Sequence, residues 1–198
     1  MKESVTIQSA IKAAFDIVEA RKQAAYRASD EDVGQRIVTL AQQGYEPSDA
    51  LVEAVRDYLS GYSLLLTGPA GVGKTFLMQC LGVRRYSAES IIDYGLARIR
   101  DWYDWTDGHD ICIDDVGSER MVAEYGAKDE VLRAVIAHRS DRQRGKRGKT
   151  HVTTNLTAEQ ISARYGDRIL SRLMGMCKAH ALTGPSRRRA EQAKGGES

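Results

Sequence analysis

The 198-residue chain is long enough for one full-sized core and at most a small appendage. With 42% apolar and 28% charged residues it has the make-up of a globular protein. No apolar run approaches the roughly 20 residues that cross a bilayer, and "MKESVTIQSA" at the start lacks the apolar stretch of a signal peptide. The net charge of +2 selects no class of partner, but its distribution is uneven: residues 1–60 are net acidic and the remainder net basic. Cys80, Cys112 and Cys177 form no C-x-x-C, which argues against a disulfide framework or a zinc site. The expected setting is a reducing cytoplasm, without a membrane.

In chain order, Ile7, Ile11, Phe15 and Val18 recur at helical spacing within residues 4–27. "SDED" at 29–32 reads as a capping box opening a second helix, with Val33, Ile37 and Leu40, that stops near Gly44. Pro47 and Ser48 introduce a third, with Leu51, Val55 and Leu59 on one side. Residues 1–60 are thus expected to be an all-helical leader. From Gly61 the texture changes. "YSLLLTG" predicts a buried strand, "KTFLMQCLG" a helix ending at Gly82, and "RRYSA" a short strand whose Ser87 caps "AESIIDYGLARIRDWYDW". "DICIDD" is a second apolar strand, "AKDEVLRAVIAHRSDRQ" a helix and "KTHVTTN" a third. "AEQISARYG" and "DRILSRLMG" are short helices before a last strand in "CKAHALTG". Strands alternating with helices predict an α/β fold, a parallel sheet sandwiched by helices, over 61–184. Residues 185–198 read as a basic polar tail.

The strongest motif is "GPAGVGKT". Gly68, Pro69, Ala70, Gly71, Val72, Gly73, Lys74 and Thr75 satisfy G-x-x-x-x-G-K-[ST] between a strand and a helix, with Phe76 following. Backbone N–H groups of such a loop curl around phosphates at a helix N-terminus. Lys74 is expected on the β- and γ-phosphates and the Thr75 hydroxyl on Mg²⁺.

Asp114 ends the run Ile111-Cys112-Ile113, where an outer carboxylate for that Mg²⁺ is needed. "DDVG" also fits the D-x-x-G of a GTPase switch, but no N-K-x-D guanine reader follows. Asp115, beside Asp114, can instead orient an attacking water, which favours ATP. At the end of the next strand Asn155 can donate and accept at once, as a sensor of the γ-phosphate must. Arg168 and Arg172 stand four apart on one helical face. A guanidinium there can neutralise developing phosphate charge, though spacing alone favours a solvated helix face. The block "HRSDRQRGKRGKT" holds Arg139, Arg142, Arg144, Lys146, Arg147 and Lys149. It reads as a polyanion site, single-stranded or double-stranded DNA, or as a solvated loop. Trp102, Tyr103 and Trp105 are flanked by Asp101, Asp104 and Asp107, so packing is expected of them rather than base stacking.

Taken together, "GPAGVGKTF", "ICIDDVGSE", "THVTTNL", "YGDRILSRL" and "GPSRR" resemble the AAA+ ATPases of the DnaC-type helicase loaders and IstB-type transposition helpers, over residues 61–189. The resemblance implies a P-loop NTPase with an AAA+ core, Walker A at 68–75, Walker B at 114–115, sensor 1 at Asn155 and an arginine finger at Arg172. Arg188 would match the family's terminal S-x-R arginine. A finger implies a homo-oligomer. Too few residues follow "ALTG" for a helical lid, as in loader-type members. The catalytic acid would be Asp115 where many AAA+ proteins carry Glu, with Glu119 as its possible assistant. The expected partner of the leader is a replicative helicase or, in the helper reading, a transposase. A small-molecule kinase on the same P-loop leaves Asn155 and "SRL" unexplained. A non-hydrolysing nucleotide-gated binding protein fits complete Walker motifs less well.

Overall fold

The structure is a computed structural model that describes residues 28–119, 125–144 and 148–186. Its elements are α1 (Asp30–Gln42), α2 (Asp49–Leu59), β1 (Ser63–Thr67), α3 (Lys74–Cys80), β2 (Arg84–Ser87) and α4 (Ala88–Thr106), followed by β3 (Ile111–Val116), α5 (Tyr125–Arg144), β4 (Thr150–Thr154), α6 (Ala158–Tyr165), α7 (Asp167–Met176) and β5 (Cys177–Ala181). Every expected strand is present. The strands form one sheet in the order β2-β3-β4-β1-β5, all neighbours parallel.

The short apolar runs become strands because both faces of the sheet are covered. Successive side chains point to opposite faces. Leu64, Leu66 and Cys112 therefore join one cluster, with Leu51 and Val55 of α2 and Leu77 and Met78 of α3. Leu65, Ile111, Ile113 and Val152 join the other, with Ile91 and Trp102 of α4, Leu132 and Ile136 of α5 and Leu173 of α7.

Polar side chains fix the helix starts. Ser29, Ser48, Ser87 and Thr157 each accept the N–H three residues on, satisfying one of the orphan donors at a helix N-terminus. The Ser29 hydroxyl also donates to Asp32 Oδ2. One expected helix is not continuous. Gly95 takes φ 67°, ψ 168° inside α4 and turns the chain so that Tyr94 meets Trp105, ring centroids 5.8 Å apart. Trp102 is buried in the core, while Trp105 keeps 55% of its surface exposed.

The change of texture at residue 61 is not a boundary in the packing. Val33, Leu40, Leu51 and Val55 lie in the same apolar cluster as β1 and α3. Asp57 of α2 pairs with His180 of β5 at 3.0 Å. The stripe of Ile7, Ile11, Phe15 and Val18 lies outside the described residues, as do residues 187–198 with Arg188.

Candidate nucleotide and metal site

The chain leaves β1 through a loop that runs against the C-terminal segment. At Gly68, φ 134°, a Cβ would stand 2.1 Å from the Leu182 carbonyl oxygen; at Gly71, φ 88°, one would stand 2.3 Å from Ser186 Oγ. Only glycine permits both the left-handed backbone and the approach. Gly73 then opens α3 without a side-chain cap. The loop thus passes directly into a helix N-terminus, the end of a helix that favours an anion.

Lys74 is 4% exposed. Its ammonium donates to the carbonyls of Gly68 at 2.7 Å and Pro69 at 2.9 Å and to Asn155 Oδ1 at 2.6 Å. Burial lowers its pKa, against the opposing pull of Asp115 and Asp114.

Two adjacent carboxylates sit at the end of β3, where the ladder to β4 slips between Ile113 and Val116. Such an irregularity re-aims side chains. Asp115 takes φ 57°, a backbone that Asp tolerates better than most residues. Its N–H donates to Thr153 Oγ1 at 2.9 Å, and the same hydroxyl donates to Asp114 Oδ1 at 2.6 Å. One threonine on β4 therefore holds the Asp114 carboxylate and the Asp115 backbone together. Asp114 Oδ1 also accepts from Thr75 Oγ1 at 3.0 Å, and Oδ2 from Arg85 Nη1 at 3.1 Å.

A cavity of about 290 Å³ is bounded by Gly71, Lys74, Thr75, Asp115, Ser118 and Asn155. A second, of about 390 Å³, opens beside Val72 between the loop Gln43–Ser48 and Leu182–Ser186. Tyr45 and Leu51 line it, and the Tyr45 ring stacks on Phe76 at 5.5 Å. The Tyr45 hydroxyl donates to the Gly73 carbonyl.

The sequence matches no family model. It matches no curated protein. Its fold is nonetheless shared with solved structures. A crystal structure of the DnaC helicase loader superposes with a TM-score of 0.53 at 19% identity, covering 71% of this chain and 94% of that one. One of DnaI gives 0.53 at 20% identity, covering 71% and 85%. The chain shares the fold of these two structures, a five-stranded parallel sheet flanked by helices.

Within that fold Lys74, Thr75, Asp114, Asp115 and Asn155 converge. Ala70, Gly71, Gly73 and Phe76 line the same cavity, whereas Glu119, Arg168 and Arg172 lie elsewhere. Glu119 does not line the 290 Å³ cavity. Its Oε2 accepts from the Gly117 N–H at 2.8 Å, and its Oε1 is held by Arg164 at 2.8 Å and by the Tyr165 hydroxyl. That places it in an ion pair between β3 and α6, not beside Asp115. Arg172 donates to the Ala137 carbonyl at 2.9 Å and to Asp141 at 3.0 Å, whereas Arg168 is exposed.

The basic block divides. Arg139 is 1% exposed and cannot meet a polyanion. Its guanidinium is spent on Thr150 Oγ1 and the carbonyls of Thr106, His109 and Lys149, at 2.7–3.0 Å. Arg142 faces Asp107 at 3.7 Å, and Lys149 is half-buried. The side chains of Arg144, Lys146 and Arg147 lie outside the described residues.

The sequence reading missed Thr153, Arg85 and Tyr45. Thr153 stands two residues before Asn155 and was open to detection. The other two reach the site through strand register and the packing of α2, which no local pattern records. Among the described residues no helix is long and apolar enough to cross a membrane.

Proposed function

We propose that the chain is an ATP hydrolase of the AAA+ type that acts on DNA, most simply as a helicase loader. The observation that carries the reading is the Thr75–Asp114 contact, with Asp115 and Asn155 on the same cavity wall. A P-loop hydroxyl hydrogen-bonded to a strand-end carboxylate is the donor set a magnesium ion requires: hard oxygens beside room for phosphate. Thr75 and Asp114 would hold Mg²⁺, which when bound offsets charge on the phosphate oxygens.

The chain's own groups supply the rest. Lys74 exchanges two loop carbonyls and Asn155 for phosphate oxygens, stronger acceptors for an ammonium. That exchange frees the Asn155 amide to face the reacting group. Asp115, aimed into the cavity by the β3 irregularity, polarises the attacking water. The base of the nucleotide fits the larger cavity, against Leu51, Val72 and Leu182.

An arginine finger on α7 acts between subunits, with Arg172 exchanging Asp141 for a neighbour's phosphate. The leader over residues 1–60 binds the partner while its residues 28–60 also pack into the core, and Arg142, Arg144, Lys146, Arg147 and Lys149 are the DNA-contacting set. The solved neighbours bear unequally on the choice of partner. One is a helicase loader by name, so a replicative helicase is preferred to a transposase.

Asp115→Asn tests the chemistry. It should keep Mg·ATP affinity and lose about 10²-fold or more in turnover, the usual weight of a general base. Normal turnover would remove Asp115 from the mechanism. Deposition of a purified replicative helicase on single-stranded DNA tests the partner. ATP-dependent stimulation of transposition without helicase deposition would favour the helper.

A further inference from the structure

We infer that Arg85 is a positioning residue that stands in for the divalent cation at Asp114, so that metal enters the site with nucleotide and not ahead of it. The inference rests on the nucleotide-site reading above and goes beyond it. Arg85 and Asp114 come together through strand register. Arg85 pairs with Cys112 across β2 and β3, and Ser87 with Asp114. Register partners in a parallel pair share a face, as do residues two apart. Arg85 and Asp114 therefore both project toward α3, where Thr75 sits, and the guanidinium reaches along the strand to Asp114 Oδ2 at 3.1 Å.

The environment makes this contact consequential. The Asp114 side chain is 8% exposed, and that of Arg85 34%. A carboxylate so buried needs compensation. Thr75 and Thr153 supply two neutral donors to Oδ1, and Arg85 supplies the charge. Lys74 has its own acceptors in Gly68, Pro69 and Asn155. Among the described residues Arg85 is the cation within ion-pair distance of Asp114. A bare divalent cation arriving at this carboxylate meets a fixed positive charge. A cation arriving with a polyphosphate does not, because the phosphates outweigh it. The ion pair thus holds Asp114 in its working orientation and couples metal affinity to nucleotide.

The probe is Mn²⁺ alone, followed by the resonance signal of the free ion, with no nucleotide present. Arg85→Gln keeps a donor near Oδ2 and removes the charge. It should bind Mn²⁺ about tenfold more tightly than the wild type, the weak end of what repulsion between a guanidinium and a divalent cation a few ångströms apart supplies. Arg85→Lys keeps the charge and should stay within about twofold of the wild type on the same argument. The thermal midpoint of Arg85→Gln should rise on adding Mn²⁺ alone, where that of the wild type does not; this holds even if the variant is destabilised. Equal tightening in the Lys and Gln variants would overturn the role of charge. A wild type that binds Mn·ATP beside a Gln variant with no gain for Mn²⁺ alone would overturn the inference and leave the nucleotide site standing. Failure of the wild type to bind Mn·ATP would overturn both.

Discussion

The two ends of β3 and β4 carry charges that look alike in the sequence and behave differently in the fold. At the C-terminal ends Asp115 and Asn155 border a cavity of about 290 Å³, and Asp114 meets Thr75 on its wall. At the N-terminal ends Arg139 is walled in by Thr106, His109, Lys149 and Thr150. Here the charge is solvated by carbonyl dipoles and fastens α5 to the α4–β3 turn and to the start of β4. The close approach of Gly148 to the His109 carbonyl belongs to the same fastening. Chemistry needs polar groups with somewhere to put a ligand; a group whose donors are already matched inside the protein serves stability. The comparison predicts that variants at the two ends fail in different ways.

The largest effect is expected at the closed end. Arg139→Ala leaves the His109 carbonyl and the Thr150 hydroxyl without this donor and takes one of two donors from the Thr106 and Lys149 carbonyls; a buried group left unpaired costs about 1–3 kcal/mol. A loss of about 4 kcal/mol or more in urea unfolding follows, enough to unfold a marginal domain. The nucleotide affinity of the molecules that remain folded should not change. A loss under about 1 kcal/mol would mean that water replaces the guanidinium, and the contrast between the ends would break.

At the open end the order reverses. Lys74→Ala should weaken ATP binding by about 10²-fold, near 3 kcal/mol, with little change in unfolding free energy. Among the described residues its ammonium bonds the loop carbonyls and Asn155 at the end of β4, contacts at the rim of the cavity and not in the core. Calorimetric titration and urea unfolding on the same preparation separate the two quantities. Wild-type affinity in Lys74→Ala would remove the phosphate assignment.

These differences show what could be read in advance. The P-loop, the paired aspartates and Asn155 were legible because each is a short motif at a strand end, and short continuous apolar runs marked the buried strands. Arg139 was misassigned to a surface because it lay within a run of basic residues. Its helical phase said otherwise: it continues the buried stripe of Leu132, Val135 and Ile136. Glu119 was legible as a carboxylate near Asp115 but not as one already held by Arg164 and Tyr165, which are 45 and 46 residues away. Arg85 and Tyr45 depend on register and on helix packing, which are set by the whole sheet. The leader was divided from the core at a change of composition, while α2 packs through Leu51 and Val55 into the cluster beneath β1.

The smallest effect sharpens the comparison from the middle of β4, between the two ends. His151 is fully buried beneath α2. Its Nδ1 accepts the Leu64 N–H at 3.2 Å, and its ring lies 5.5 Å from that of Tyr58. Burial brings its pKa from 6.5 down to about 4, with Asp110 opposing and Lys149 adding to the shift. A base held neutral in the fold but free to protonate when unfolded gives the unfolded chain more protons below pH 6.5. The stability that neutral His151 preserves is therefore complete above the unfolded pKa and falls as the pH drops toward about 4. At pH 5 the loss is about 2 kcal/mol, at 1.36 kcal/mol for each unit below the unfolded value. His138 is shifted in the same direction, by its burial and by Arg142 and Arg139, and adds to the slope. Gln at position 151 can still accept the Leu64 N–H but does not titrate. His151→Gln should lose most of the decline between pH 6.5 and 5, measured as urea midpoints at half-unit steps. A variant that declines as steeply as the wild type would remove His151 as the source of the acid sensitivity.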